Sequence, residues 1–465
     1  MTLTRRQFLG AAGAAGALAA TGGWRAAAQA ATTGARRVVP APDASGIEHI
    51  VVVMMENRSF DHFIGWMPGA DGRQAGLTYR DSAGAAHQTA SLSGEYMGCA
   101  HPDPDHSYEG GRVQWNGGAM DGWLHAGSGD DDFALGYYGA DDRPFMSQLA
   151  LNYTTLDRYF CSILAETFPN RFFMHAATTD RRHNLGTTST SIYPTIWDRL
   201  AAKGVSHRYY FNDLPFLALW GQKYLSISAH YAQFLADASA GTLPAVSYVD
   251  PRFEDESTTG TSGDDHPHAD IRAGDHFLAE IFHTLTLSPA WSNTVLVVMY
   301  DEWGGFFDHV PPGRAAQSAL QDIDPRRQGL NVEDADQIVN GKALLGFRVP
   351  CIVASPFTKG RPTSPRIYGT PQRQRIPFDH TSVLKLIEWR HDLLPLTARD
   401  ASSDIGNILD VLDFGRPDPS VPDLPLPPPP PPNPCGPTNP SPAASSDSTW
   451  SDLRTSALLA GWNLP

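Results

Sequence analysis

The sequence predicts an α/β fold built on a mainly parallel central sheet. Three observations carry that reading. Short apolar runs rich in Val and Ile stand at 50–55, 245–249, 294–300 and 349–354, the pattern of strands covered by helices on both faces. Stretches with apolar residues at three/four spacing alternate with them, as in βα units. Two of the runs end in acidic residues. VVVMMENRSFDHFIG places Glu56, Asn57, Ser59, Asp61 and His62 after the first run, and TVLVVMYDEWGGFFDHV places Asp301, Glu302, Asp308 and His309 after the third. A carboxylate after a strand is commonly a turn residue or a helix cap. Two such segments, each with His and Gly close by, suggest instead one site at the ends of parallel strands.

From the N-terminus, residues 1–30 read as an export signal. Thr4-Arg5-Arg6-Gln7-Phe8-Leu9 is a twin-arginine pattern, an Ala/Gly/Leu-rich run follows over 10–23, and Ala28-Gln29-Ala30 is a small-residue cleavage site. That run is too short for a membrane span, and no later segment reaches about 18 continuous apolar residues. The expectation is a protein carried by the twin-arginine machinery and secreted or held in the cell envelope. Residues 31–415 are expected to form the catalytic body, with a Gly/Asp/His/aromatic-rich insertion at about 68–138. Helices are expected over 143–154 behind Asp142, 193–203 ending at Gly204, 272–287, and 381–389 starting from Asp379 or His380. Residues 416–448 read as a Pro-rich linker, with six prolines at 427–432. Residues 449–465 have the makings of a short amphipathic helix, docked or disordered.

The chain carries 35 basic and 50 acidic residues. Removing 1–30 takes Arg5, Arg6 and Arg25 and no acid, which moves the net charge from −15 to −18. Such a surface repels nucleic acid and anionic bilayers but not a zwitterionic lipid or a small phosphate drawn to a metal. Cys99, Cys161, Cys351 and Cys435 show no zinc-ligand spacing. An exported location permits disulfides, whereas folding before export argues against relying on them, and no pairing follows from the sequence.

Four further clusters bear chemistry: Asp103-Pro104-Asp105-His106; Glu166-Thr167-Phe168-Pro169-Asn170-Arg171 with Ala176-Ala177-Thr178-Thr179 after it; Asp264-Asp265-His266-Pro267-His268; and Asp379-His380. Hydrolytic phosphoryl transfer needs a cation on a phosphate oxygen, an attacking hydroxyl or water, and an acid for the leaving oxygen. Ser59, Ser162, Thr178 and Thr179 are all candidate nucleophiles on residue type alone. Glu, Asp and hydroxyl oxygens suit Ca, Mg, Mn or Fe. Tyr108, Trp115, Trp123, Tyr137 and Tyr138 of the insertion could either cage a quaternary ammonium or simply pack the loop.

ENRSFDHFIG, the PNR segment ending in Thr178, DDHP and YDEWGGFFDHVPP together resemble the bacterial phosphoesterase family, which holds non-haemolytic type phospholipases C and acid phosphatases. The resemblance spans about residues 46–392. It implies an alkaline-phosphatase-like three-layer α/β sandwich and one divalent metal ion, of undetermined identity among Ca, Mg, Mn, Fe and Zn. It implies metal ligation by Glu56, Asn57, Thr178, Asp301 and Glu302. Counting forward from Asn170-Arg171, it implies Thr178 as nucleophile, with Thr179 as its neighbour in register. It implies catalytic roles for His106 and His266, and phosphate binding by Asn57, His106, His266 and His268. Asp308-His309 and Asp379-His380 are expected either behind the site or in structural roles. The expected mechanism is a two-step displacement through a phospho-threonine that water then hydrolyses. The expected substrate is a phospholipid such as phosphatidylcholine, cleaved in phospholipase C fashion. A phosphomonoester, cleaved by an acid phosphatase, is the alternative, and a non-catalytic phosphate- or metal-binding module a third reading.

Overall fold

A computed structural model describes residues 39–127, 131–184, 190–318, 338–360, 366–369, 376–436 and 446–465. The export signal expected at 1–30 lies outside the described residues. Eight strands build the main sheet: β1 (His49–Met55), β2 (Thr154–Leu156), β3 (His207–Phe211), β4 (Ser228–His230), β5 (Val246–Val249), β6 (Thr294–Tyr300), β7 (Cys351–Ala354) and β8 (Arg366–Tyr368). Their spatial order is β8-β2-β7-β6-β1-β5-β3-β4. β7 runs antiparallel to β6 and β2, and the other neighbours are parallel. The centre is apolar on both faces: every residue of β6 is buried, as are all of β1 except His49.

Helices α1 (Pro144–Asn152), α2 (Thr167–Ala176), α3 (Ile196–Lys203), α4 (Tyr231–Ala240), α5 (Ile271–Leu287) and α6 (Thr381–His391) cover the sheet. They pack in two groups: α5 against α1 and α4, and α6 against α2 and α3. Sheet and two helical groups give the expected layered α/β architecture. Local chemistry sets the boundaries. α3 starts three residues later than expected because Pro194 disfavours a helical Tyr193. The Asp198 carboxylate then accepts the Thr195 N–H at 2.9 Å, and the helix stops at Gly204 with φ of +71°. α1 ends at Asn152, because Thr154 is already in strand β2.

Pro40–Pro465 is a single compact unit, and its C-terminal portion is held down. Cys99 and Cys435 form a disulfide, a pair that the sequence left unassigned. The linker's carbonyls at Pro425 and Pro427 pair with His283 and His276 at 3.4 and 2.9 Å. Beyond it, α7 (Ser446–Leu459) buries Trp450, Leu453 and Ala457. The segment at 449–465 is therefore docked. No described helix is long and apolar enough to cross a membrane.

Candidate active site

Three adjacent parallel strands, β6-β1-β5, deliver acids at their C-terminal ends: Asp301 and Glu302, Glu56 and Asn57, and Asp250. The ladder carries on past β1 and β6, with Asp301 N–H donating to Met55 O at 3.1 Å and Arg58 N–H to Glu302 O at 3.1 Å. Asn57 takes a left-handed backbone with φ of 58°, which Asn tolerates better than most residues. That turn points its N–H at Asp301 Oδ1, 3.2 Å away. The Gly pair of YDEWGG has a steric cause. A Cβ on Gly304 would lie 2.0 Å from Asn57 O, and one on Gly305 2.6 Å from Pro104 Cβ. Both glycines have positive φ, so the backbone passes beneath the insertion where no side chain fits.

α2 aims its N-terminus at this cluster. The Thr167 hydroxyl donates to Glu56 Oε1 at 2.9 Å and approaches Asn57 Oδ1 at 3.4 Å. The PNR segment explains the placement. Pro169 lies in the first turn, where its missing N–H costs nothing. Asn170 ties the preceding loop down through the carbonyls of Ile163, Ala165 and Glu166 and the N–H of Ile163. Arg171, fully buried, bonds Asp301 Oδ2 at 2.9 Å and Asp250 Oδ1 at 3.0 Å. His380 holds the Asp301 carbonyl at 2.7 Å, so it acts as a brace behind the acid.

Electrostatics sharpen the picture. Burial, with Asp301 and Asp264 beside it, holds the Glu56 carboxyl well above the usual range, and burial pushes Glu302 up to about 8 against the pull of His106. Glu56 Oε2 and Glu302 Oε1 are buried without a hydrogen-bond partner. His106 donates through Nδ1 to Pro104 O at 2.9 Å, which turns Nε2 towards Asn57 Nδ2 at 3.4 Å and Glu302 Oε1 at 4.0 Å. Burial opposes its charge, but Glu302 and Asp103 outweigh that and raise it to about 9. His266 sits between Glu256 Oε2 at 3.2 Å and Asp103 Oδ2 at 3.7 Å. Those carboxylates raise it well above its usual value despite burial. A pocket of about 190 Å³ opens here, bordered by Glu56, Thr167, His106, His266, Asp103 and Trp450.

The structure thus brings together Glu56, Asn57, Asp301, Glu302, His106 and His266. It does not bring Thr178. That residue follows Ala177, the C-cap of α2, and its hydroxyl donates to Ser318 O at 3.0 Å. The full length of the helix, about 15 Å at 1.5 Å per residue, separates it from the cluster. The expectation that Thr178 is the attacking hydroxyl and a metal ligand is corrected on that ground: the hydroxyl at Glu56 belongs to Thr167. Thr179 bonds Arg181 O. Ser59 caps the helix Phe60–Ile64 and donates to Phe307 O, and Ser162 accepts from His380 N–H. His268 pairs with His101 O at 2.9 Å and does not border the pocket. Among the insertion aromatics, Tyr108, Trp123 and Tyr138 are buried, and none of the five borders the pocket, so they pack the loop.

Residues 47–394 match the model of the Phosphoesterase family. The chain belongs to the phosphoesterase family. It is 33% identical over 449 residues to phospholipase C B of Mycobacterium tuberculosis, covering 81% of this chain and 80% of that one. It is 32% identical to non-specific phospholipase C1 of Arabidopsis thaliana, covering 76% and 69%. It is 30% identical to non-hemolytic phospholipase C of Burkholderia pseudomallei, covering 81% and 60%. A solved member of the alkaline phosphatase superfamily from Vibrio parahaemolyticus superposes with a TM-score of 0.35 at 12% identity, covering 78% of this chain and 71% of that one.

This phosphoesterase is a hydrolase acting on phosphate ester bonds, and its site suits a divalent cation. Buried carboxylates are stable when paired or when they coordinate a metal. The unpartnered oxygens of Glu56 and Glu302, with the oxygens of Asn57, Asp301 and Thr167 close by, are hard donors of the kind such ions take. The phosphoesterase residue hardest to find by sequence was Thr167. The signal was present: an acid and a hydroxyl at Glu166-Thr167, with Pro169 two residues on, mark a helix start, and helix N-termini gather anions.

Proposed function

We propose that this protein is an exported, metal-dependent phospholipase C that works through a phospho-threonine on Thr167. The observation that carries the reading is the Thr167 hydroxyl at 2.9 Å from Glu56 Oε1, at a helix N-terminus facing the pocket. When bound by Glu56, Asn57, Asp301 and Glu302, a divalent ion supplies charge withdrawal from the phosphate and eases ionisation of the Thr167 hydroxyl.

The chain's own residues do the rest. The Thr167 hydroxyl gives its proton to Glu56 Oε1, to which it already donates, and its oxygen forms a bond to phosphorus as the bond from phosphorus to the glycerol oxygen breaks. The Thr167 backbone N–H, at the positive end of α2, and the Asn57 amide receive the phosphate oxygens. His266, charged and facing the pocket, gives its proton to the departing alkoxide. In the second step water attacks phosphorus and gives a proton to the now neutral His266, the Thr167 oxygen leaves and regains its proton from Glu56, and the phospho-headgroup is released. His106, held by Pro104 O and charged, steadies the developing negative charge.

The diester substrate is supported by the names of the relatives, all phospholipases C. The twin-arginine route is supported by Arg5-Arg6, and an oxidising destination by the Cys99–Cys435 disulfide. The test is to quench turnover of p-nitrophenylphosphorylcholine and p-nitrophenyl phosphate, then locate covalent phosphate by mass spectrometry. Phosphate on Thr167, with faster turnover of the diester, is expected. Phosphate on Thr178 would sink the nucleophile assignment, and a preference for the monoester would make the protein a phosphatase. Replacing Arg5-Arg6 by lysines should strand the protein in the cytoplasm.

A further inference from the structure

Trp450 comes from the far end of the chain and yet borders the pocket. Its ring stacks on Phe253 at 4.4 Å between centroids and 17° between planes, and lies 5.6 Å from Phe168, the residue after Thr167. Its indole N–H donates to Glu256 Oε1 at 3.1 Å. The other oxygen of the same carboxylate, Oε2, is 3.2 Å from His266 Nδ1. Trp450, Glu256 and His266 thus form an unbroken polar chain, each only 1–3% exposed.

We propose that Trp450 is a positioning residue of the active site, which fixes Glu256 and through it holds His266 in line with the leaving oxygen. The proposal rests on His266 being the leaving-group acid. A carboxylate with two rotatable arms needs a second anchor if it is to orient an imidazole, and the indole supplies it. Nδ1 faces both Glu256 Oε2 and the Pro267 carbonyl, so Nε2 is the atom turned to the pocket and to Asp103, and Glu256 is the one of the two Nδ1 partners that a side-chain anchor can position.

The anchorage of α7 is strong enough for the task. Arg454 pairs with Glu254, two residues before Glu256, at 2.7 Å. Asn433 N–H donates to Thr259 O at 2.8 Å, at the other end of the short helix Glu256–Thr259. The Cys99–Cys435 disulfide fastens the linker beside it. Trp462 Nε1 reaches Gly221 O at 2.9 Å. The tail therefore grips the Glu256 segment from both sides.

Leaving-group dependence tests the idea in the full-length protein. A diacylglycerol alkoxide needs a proton to depart, whereas nitrophenolate does not. Trp450→Phe keeps the ring stack and removes only the N–H, and Glu256→Gln keeps the shape and removes the charge. Each should lower kcat on a short-chain phosphatidylcholine about tenfold or more with KM nearly unchanged, and lower kcat on p-nitrophenylphosphorylcholine by no more than about twofold. Equal losses on both substrates, or none on either, would overturn the proposal. His266→Asn is measured alongside. If it spares phosphatidylcholine turnover, the acid assignment fails and the proposal with it; if it discriminates while Trp450→Phe and Glu256→Gln do not, the proposal alone fails. A Cys99→Ser/Cys435→Ser double variant that keeps its fold by circular dichroism should show the same discrimination in weaker form.

Discussion

Two acidic clusters grow from the same pair of segments, and they differ in how their charge is met. ENRSFDHF and YDEWGGFFDHV supply Glu56, Asn57, Asp301 and Glu302 to the first, then Asp61, Asp308 and His309 to the second. In the second cluster Arg348 lies between the acids, 3.0 Å from Asp61 Oδ1 and 3.0 Å from Asp308 Oδ1. His309 takes the other Asp61 oxygen at 2.5 Å. In the first, Arg171 serves Asp301 and Asp250, while Glu56 and Glu302 each keep a bare buried oxygen. Both clusters hold carboxylates and histidine close together. The first is short of positive charge and faces a pocket; the second carries its own cation. An acid pair with an internal arginine is a structural joint, and one without is prepared for an external cation.

The largest expected effect tests the first cluster. Thr167→Ala should lower kcat by at least about 10³-fold, and Thr178→Ala should stay within a fewfold of wild type. Steady-state assays with a melting control would reverse the assignment if the ranking were opposite. Next comes the joint. Arg348→Met leaves Asp61 and Asp308 buried without their partner, and about 3–5 kcal/mol of unfolding free energy should be lost in denaturant titration. A loss below about 1 kcal/mol would erase the contrast between the clusters.

Glu302→Gln should act in the opposite sense. It removes a carboxyl that burial raises from about 4.5 to about 8; the folded state resists its ionisation, so stability is lost as pH rises from 4.5 through 8, and the chelator-treated variant should be more stable than wild type by up to about 4 kcal/mol at pH 9. The same variant should lose most of its thermal stabilisation by added divalent ion. Unchanged melting in chelator together with undiminished stabilisation by the ion would contradict the charge deficit.

The smallest effect concerns a lone group near the far end of α2. His175 is buried among aromatic rings, and burial holds it down to about 3. The folded state thus binds fewer protons than an unfolded chain titrating near 6.5. Stability should fall as pH drops from 6.5 towards 3, by about 2 kcal/mol at pH 5. His175→Phe should flatten that limb of the profile. An unaltered slope would mean that the histidine is protonated in place.

The sequence-readable parts were those where one property dominated. β1 and β6 are seven-residue apolar runs and were legible within a residue. Thr154–Leu156, His207–Phe211, Ser228–His230 and Arg366–Tyr368 were not. They are short or polar, and pairing rather than composition makes them strands. Glu56, Asn57, Asp301 and Glu302 could be read because strand ends fix where side chains go. Counting forward from Asn170-Arg171 led to Thr178, whereas the hydroxyl that the structure sets against Glu56 is Thr167, at the start of the helix those residues brace. Glu256 and Trp450 carried no local signal at all: their meeting depends on the tail folding back. The linker's prolines suggested a free spacer, whereas its carbonyls are engaged by α5 histidines.

The register of β1 on β6 has a consequence for how this gene can change length. His49 faces Thr294 and each following pair stays matched through Met55 and Tyr300. Side chains alternate faces along a strand, so adding or deleting one residue within 49–55 would displace Glu56 and Asn57, and Asp61 behind them, from their partners at once. The loop turns at Gly69, Gly76, Gly84 and Gly94 have open space around them. A length-variation scan should therefore find 49–74 intolerant, since Arg73 and Gln74 are still tied to Asp61, and the turns over 76–94 permissive.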